Sequence, residues 1–271
     1  MTFWICRTCG VEHESRPDVC AICADERELV PVDGQHWTTL EELATDGQRI
    51  TVHELEPDLF GLRTVPDVGI GPTAKIVRTT AGNLMFDVPS YLDDTAVTAV
   101  QDLGGLAYIV ASHPHMYGVQ VEWSHRLGEV PILISEADTT WLARPDHTIE
   151  AWKGDREILP GITLSQPGGH FPGSAVAHWS AGASGKGVLL SGDTIFANPD
   201  RTSVSFMRSY PNRIPLSGPV VQRIAHHVSR FQFDRLYNNF DGIIPTNARE
   251  IVLRSAERHA AWTRGDFDHL T

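Results

Sequence analysis

The chain has 271 residues, 22 of them Lys or Arg against 34 Asp or Glu, so its formal charge is −12, and 41% of it is apolar. That length buries one sizeable core with a small appendage, and the lack of any apolar run of 18 residues excludes a transmembrane helix and a membrane partner. The opening MTFWICRTCG does not read as a secretory signal, so a cytoplasmic location is expected, and the acidic balance weighs against nucleic acid as a partner.

The only four cysteines come first, as Cys6-Arg7-Thr8-Cys9 and, after ten intervening residues, Cys20-Ala21-Ile22-Cys23. Two C-x-x-C knuckles offer four thiolates to one tetrahedral ion, zinc or iron. Two disulfides are the alternative, disfavoured where thiols are kept reduced. Trp4-Ile5-Cys6-Arg7-Thr8-Cys9-Gly10 together with Cys20–Cys23 resembles a rubredoxin-like or zinc-ribbon knuckle pair. Residues 1–30 are therefore expected to form a small module whose folding leans on its metal, zinc with iron as the alternative. With every ligand position taken by Cys, the module is structural or electron-transferring and not hydrolytic. It is also where a protein partner or a second copy of the chain is expected to dock.

Residues 31–47 read as a connector ending in a short helix-like piece, and 48–271 as the main domain. Strand patterns follow at 50–55, 74–78, 83–88, 107–112, 130–135, 162–166, 175–180, 187–191 and 235–239. Helical patterns cover 92–103, 216–230 and 247–262. In the first of these Ala96, Val97, Val100 and Leu103 form an apolar stripe, with Asp93 and Asp94 at the end where carboxylates suit the helix dipole. This mixture predicts an α/β layered sandwich with helices outside. Gly182-Ala183-Ser184-Gly185-Lys186-Gly187 lacks the hydroxyl and helix of a phosphate loop and reads as a hairpin turn, and Gly69-Ile70-Gly71-Pro72 lacks a dinucleotide-binding context.

The 13 histidines are more than such a chain needs. The apolar run Ala107–Ala111 leads into Ser112-His113-Pro114-His115-Met116-Tyr117-Gly118, and a strand end is a rigid place to present ligands. In an extended H-x-H step both imidazoles face one side and can share a metal. Gly168-Gly169-His170 sets a third histidine in a glycine-rich turn, 55 residues past His115. Val188–Ser191 then runs into Gly192-Asp193, 23 residues past His170. A carboxylate ending a buried strand must be paired, solvated or metal-bound; capping backbone amides is the plain alternative.

The order H-x-H, G-G-H, S-G-D resembles the active-site motifs of the metallo-β-lactamase superfamily, over roughly residues 48–265. The resemblance implies a four-layer αβ/βα sandwich behind the cysteine module. It also implies His113, His115 and His170 as ligands of a first metal, with Asp193 as the aspartate that reaches a second. The family pattern H-x-H-x-D-H is broken, since Tyr117 stands at its Asp and Gly118 at its last His. The stretch 236–242, where the family places a further histidine, has none. A single ion, zinc or iron, is therefore expected at the His/Asp site. Tyr117, as a phenolic donor or an iron ligand, and His125, Asn239 or Asp241 are candidates to replace what is missing. For each, a packing or surface role is the simpler reading. The segment 203–212 combines hydroxyls, an aromatic and Arg208, which suits a substrate pocket with Arg208 on an anionic group.

The expected activity is hydrolysis of a small molecule, with zinc-activated water as nucleophile and Asp193 orienting it and taking its proton. Two other readings compete. An iron oxidoreductase would receive electrons through the cysteine module, since two histidines and a carboxylate can form a facial triad. A degenerate scaffold would bind metal without turnover. The substrate is not legible, because one fold hosts many hydrolyses.

Overall fold

The computed structural model describes residues 3–271, and the chain divides into two compact units, Met1–Trp152 and Lys153–Thr271. Among the described residues no helix is long and apolar enough to cross a membrane.

The first unit begins with a three-stranded antiparallel sheet, Trp4–Cys6 at its centre between Glu12–His13 and Trp37–Thr38. The third strand comes from the expected connector: Ile5 pairs with Thr38 and Cys6 with Trp37. The cysteine module thus draws on residues beyond 30. The helix-like piece is Leu40–Thr45, started by a reciprocal capping box between Thr39 and Glu42.

A seven-stranded sheet follows, in the order Ile149–Trp152, Ile132–Ser135, Tyr108–Val110, Leu84–Phe86, Thr73–Val77, Leu59–Val65, Arg49–Glu56. Five of these strands lie within two residues of their expected positions. Leu59–Val65 and Ile149–Trp152 have no counterpart in the sequence reading. Gly61 interrupts the pattern of the first, and the second is a four-residue strand with Glu150 and Ala151 exposed. The first four strands of the order run parallel to one another, and Leu84, Met85, Ile109, Val110, Ile132 and Leu133 are fully buried, as parallel strands require. Asp87 and His113 follow the carboxyl ends of two neighbours, where sheets of this kind place ligands. The helix Asp94–Asp102 starts as its sequence implies. The Asp93 side chain accepts from the Ala96 N–H at 2.7 Å, and Ala96, Val97 and Val100 face inward. Leu103 is the helix cap and only half-buried.

The second unit holds a six-stranded sheet in the order Arg156–Leu159, Ile162–Ser165, Val176–Trp179, Val188–Leu190, Arg235–Tyr237, Ile243–Ile244. All pairs are antiparallel except Val188–Leu190 with Arg235–Tyr237. Helices Gly218–Val228 and Ala248–Thr263 supply Val221, Ile224, Val228, Ile251 and Val252 to a core shared with Val176, Leu189, Phe206 and Leu236. The glycine-rich segment Gly182–Gly187 joins two antiparallel neighbours, as a hairpin turn should.

Candidate metal centres

The four thiols of the module are fully buried and converge on one point. Cys6 Sγ lies 3.6 Å from Cys23 Sγ, and Cys9 Sγ 3.7 Å from Cys20 Sγ. These separations are far beyond a disulfide bond. They match the edge of a tetrahedron of sulfurs about 2.3 Å from a central ion, which is about 3.8 Å. The donor set therefore fits a zinc or iron ion and leaves no fifth position. Gln35, beyond the second knuckle, braces it: its amide donates to Cys23 Sγ at 2.8 Å and to the Cys20 carbonyl at 3.0 Å, and accepts from the Cys20 N–H at 2.8 Å. His13 Nε2 lies 3.3 Å from Cys20 Sγ. Neither contact was foreseen from the cysteine spacing, because both arise from chain that folds back.

In the first unit His113 is extended, but Pro114–Met116 forms a 3-10 turn, so His115 stands on a turn and not on the extended chain expected for the pair. The two rings still meet edge to face with centroids 5.3 Å apart. Ser112 Oγ lies 2.9 Å from His113 Nδ1. Below the loop, the buried Asp87 accepts the Ser112 N–H at 2.8 Å through Oδ1. Asp87 was missed in the sequence, although a carboxylate directly after the apolar strand Leu84–Phe86 was a signal of the kind that marked Asp193.

In the second unit His170 sits in a turn that only glycine permits before it. Gly169 has φ +113, and a Cβ there would lie 2.6 Å from Ile224 Cδ1. The His170 Nδ1–H donates to the Met207 carbonyl at 3.3 Å, which fixes the tautomer and leaves the Nε2 lone pair for a metal. That Nε2 is 4.0 Å from Asp193 Oδ2. Asp193 is placed by the turn after Val188–Leu190, where the Ser191 N–H donates to the Tyr237 carbonyl and its hydroxyl to the Ile195 carbonyl. The Tyr210 hydroxyl donates to the Asp193 carbonyl at 2.9 Å, and burial followed by the Asp193 charge holds its pKa well above the ordinary range. Met207 and Tyr210 both belong to the 203–212 segment singled out in the sequence, but neither was named there. Arg208 lies between them, half-buried on the strand Met207–Ser209.

His113, His115, His170 and Asp193, each at most 4% exposed, form a group of side chains able to hold a metal ion. Three imidazoles and a carboxylate suit zinc and iron alike. The remaining candidates lie elsewhere. The buried Tyr117 hydroxyl donates to the Asp138 carbonyl at 3.2 Å, and burial raises its pKa far above the usual phenol range. His125 pairs with Asp146. Asn239 is buried after Arg235–Tyr237, and Asp241 is not among the histidines and carboxylates of the ligand group.

No protein-family model matches the sequence. The protein named "Uncharacterized protein YmaE" of Bacillus subtilis (strain 168) is 42% identical over 274 residues, covering 99% of this chain and all of that one. Among solved structures, the metallo-β-lactamase DIM-1 matches 78% of this chain and 98% of its own, at 15% identity and TM-score 0.59. FIM-1 from Pseudomonas aeruginosa, in a mono-zinc form, matches 78% and 96% at 13% identity and TM-score 0.57. The fold is thus that of the metallo-β-lactamases, with a four-cysteine cluster near its N-terminus.

Proposed function

Because the chain belongs to one family with Bacillus subtilis YmaE and has the metallo-β-lactamase fold, we propose that it is a metal-dependent hydrolase of a small molecule. The observation that carries this is the donor set His113, His115, His170 and Asp193, every member of it buried. The fold match covers 78% of the chain, more than either unit contains, so it extends into both. A single zinc ion is the proposed occupant, since Tyr117 and Gly118 offer nothing at the positions where the family pattern has its further ligands. Zinc is likewise the proposed ion of the cysteine module.

A dication held by this set supplies Lewis acidity, acidifying water and polarising a substrate oxygen. His170, fixed as its Nδ1–H tautomer by the Met207 carbonyl, presents Nε2 in one orientation. Asp193 Oδ2 orients the attacking water and accepts its proton. Tyr210 holds the backbone of Asp193 through its carbonyl, and Arg208 meets an anionic group of the substrate. Tyr117, its hydroxyl committed to Asp138, keeps its proton and takes no part in the chemistry.

Metal analysis with an absorption spectrum, on protein purified without a metal-binding tag and dialysed exhaustively, tests the reading. It expects two zinc ions per chain and no visible bands. Changing His113→Ala and His170→Ala together should remove one ion, spare the other and abolish hydrolysis of an ester and phosphodiester panel. An unchanged metal count in that double variant would sink the hydrolase, and iron–thiolate bands would point to electron transfer instead.

A further inference from the structure

One side chain of the cysteine module, Glu12, reaches the stretch that follows the histidine loop. Glu12 lies between the two knuckles and is only 2% exposed. Its backbone N–H donates to the Gly118 carbonyl at 2.9 Å, and its Oε1 accepts from the Val121 N–H at 2.5 Å. Its Oε2 is paired with the Arg144 guanidinium. Gly118 and Val121 belong to the stretch that leaves His115 and enters the helix Gln120–Arg126. That helix has Val119 at its N-cap, a residue with no side-chain acceptor. Glu12 is therefore a cap supplied from another part of the chain, its oxygen accepting the Val121 N–H while burial pushes the carboxyl up to about 7. Arg144 is held in turn, 4.2 Å from the Phe3 ring centroid and 3.6 Å from Glu122 Oε2. The Glu14 N–H donates to the Ala143 carbonyl at 3.0 Å. On the other side of the loop, the knuckle helix Ala21–Ala24 packs against the turn Pro114–Met116 itself.

We propose that the four-cysteine module is a positioning device for His113 and His115, and that Glu12 is its positioning residue. The knuckle ion fixes the hairpin that presents Glu12; Glu12 fixes the chain from Gly118 to Val121; that chain fixes the turn bearing the imidazoles. The inference rests on His113 and His115 being metal ligands, but backbone amide exchange reads the seating of the loop with no metal there, so the two readings fail separately.

The test compares Glu12→Ala and Glu12→Gln in the full chain. Glu12→Ala should speed amide exchange over 113–122 and weaken zinc binding at the histidine set, each about tenfold, the usual scale for losing a group that supports a ligand. The thiolate-to-cobalt absorption of a cobalt-loaded cysteine site should stay as in the unaltered protein. Glu12→Gln keeps an acceptor for the Val121 N–H and should recover part of the loss. Unchanged exchange over 113–122 in Glu12→Ala overturns the proposal. Loss of the cobalt–thiolate band in both variants overturns it too, since Glu12 would then serve only the folding of its own module.

A separate cluster carries a second inference. His125 Nε2 lies 3.0 Å from Asp146 Oδ2, and His147 Nδ1 3.3 Å from Asp146 Oδ1. One ligand atom from each of the three residues falls within 4.8 Å of the others. Tetrahedral zinc with nitrogen and oxygen ligands spaces them about 3.3 Å apart. Thr148 orients the carboxylate, its N–H and hydroxyl donating to Asp146 Oδ1 at 3.0 and 2.8 Å. Glu129 Oε2 lies 3.6 Å from His147 Nε2, within ion-pair reach. The geometry points to a surface site for a first-row dication such as zinc. Equilibrium dialysis against about 10 µM free zinc should add one ion to the dialysed protein. A His125→Ala and His147→Ala variant should fail to gain it. Equal uptake by both proteins, or none by either, overturns the site.

Discussion

Replacing Gly118 by alanine would show how firmly the loop behind His115 is fixed by backbone alone. Gly118 has φ +50, and a Cβ on it would stand 2.4 Å from the Val88 carbonyl oxygen and 2.7 Å from that of Pro89. Ordinary contact begins at 3.4 Å, so these oxygens would have to retreat by as much as 1.0 Å. Both belong to backbone, and neither can swing aside as a side chain would. The left-handed conformation itself costs an alanine about 1 kcal/mol. The retreat also strains two hydrogen bonds of this stretch, Glu12 N–H to the Gly118 carbonyl and Val119 N–H to the Pro89 carbonyl, each contributing about 1 kcal/mol. The expected loss is roughly 3 kcal/mol, or roughly 6–12 °C in melting temperature at this chain size. Thermal melts followed by circular dichroism would measure it. A shift below about 2 °C would mean that the carbonyls are not a fixed wall, and the reasoning fails. A histidine here, where the family pattern has one, would drive its Cβ into the same oxygens. Gly118→His should therefore unseat the loop without creating a ligand, and an extra metal ion bound by that variant would refute the account outright.

Tyr117→Phe removes one buried hydrogen bond, from the hydroxyl to the Asp138 carbonyl, and should cost about 1 kcal/mol of stability while leaving metal content and turnover unchanged. Loss of the metal in that variant would return the phenol to the site. In the second unit burial holds both His178 and His227 below the ordinary histidine range, with Arg230 adding to the effect at His227. A folded pKa below the unfolded 6.5 means that unfolding takes up protons. The stability they contribute is full above that pH and is lost as pH falls through it. Melting midpoints at about pH 7.5 and 5.5 should differ less in a His178→Gln, His227→Gln variant than in the parent; an equal difference in both would dismiss these histidines as the cause.

What was legible in the sequence follows from the range of the interactions involved. The strands flanking His113, His170 and Asp193 are short apolar runs whose burial shows in composition, and each motif stands directly after or before one. The helix Asp94–Asp102 was legible at both ends of its argument, cap and stripe. The contacts that complete the sites were not, because they join residues far apart in the chain. Gln35 reaches back to Cys20 and Cys23, the Met207 carbonyl accepts the His170 Nδ1–H, and Asp87 lies under Ser112 from a neighbouring strand. His125, ten residues past His115, was a candidate for the same site with a surface role as the simpler reading, and its ring turns to Asp146. Sequence distance carried no information about which way that helix faces.

Tyr117 and Gly118 bear on why the chain departs from the family pattern where it does. Both positions follow His115 directly, and in this protein both have structural employment. Tyr117 is buried with its hydroxyl on Asp138, and Gly118 lies against Val88 and Pro89 while its carbonyl accepts from Glu12 of the cysteine module. A carboxylate in place of Tyr117 would have to be buried at high cost without a cation beside it, and any side chain at Gly118 would break the seat of the module. Docking the four-cysteine module on this loop and carrying a histidine at 118 are thus competing uses of that one position. The seat of the module at Gly118 therefore leaves no room for a ligand side chain at that position. A relative that lacked the four cysteines would be free to carry His at this position, and one that kept all four cysteines alongside that His would contradict the link.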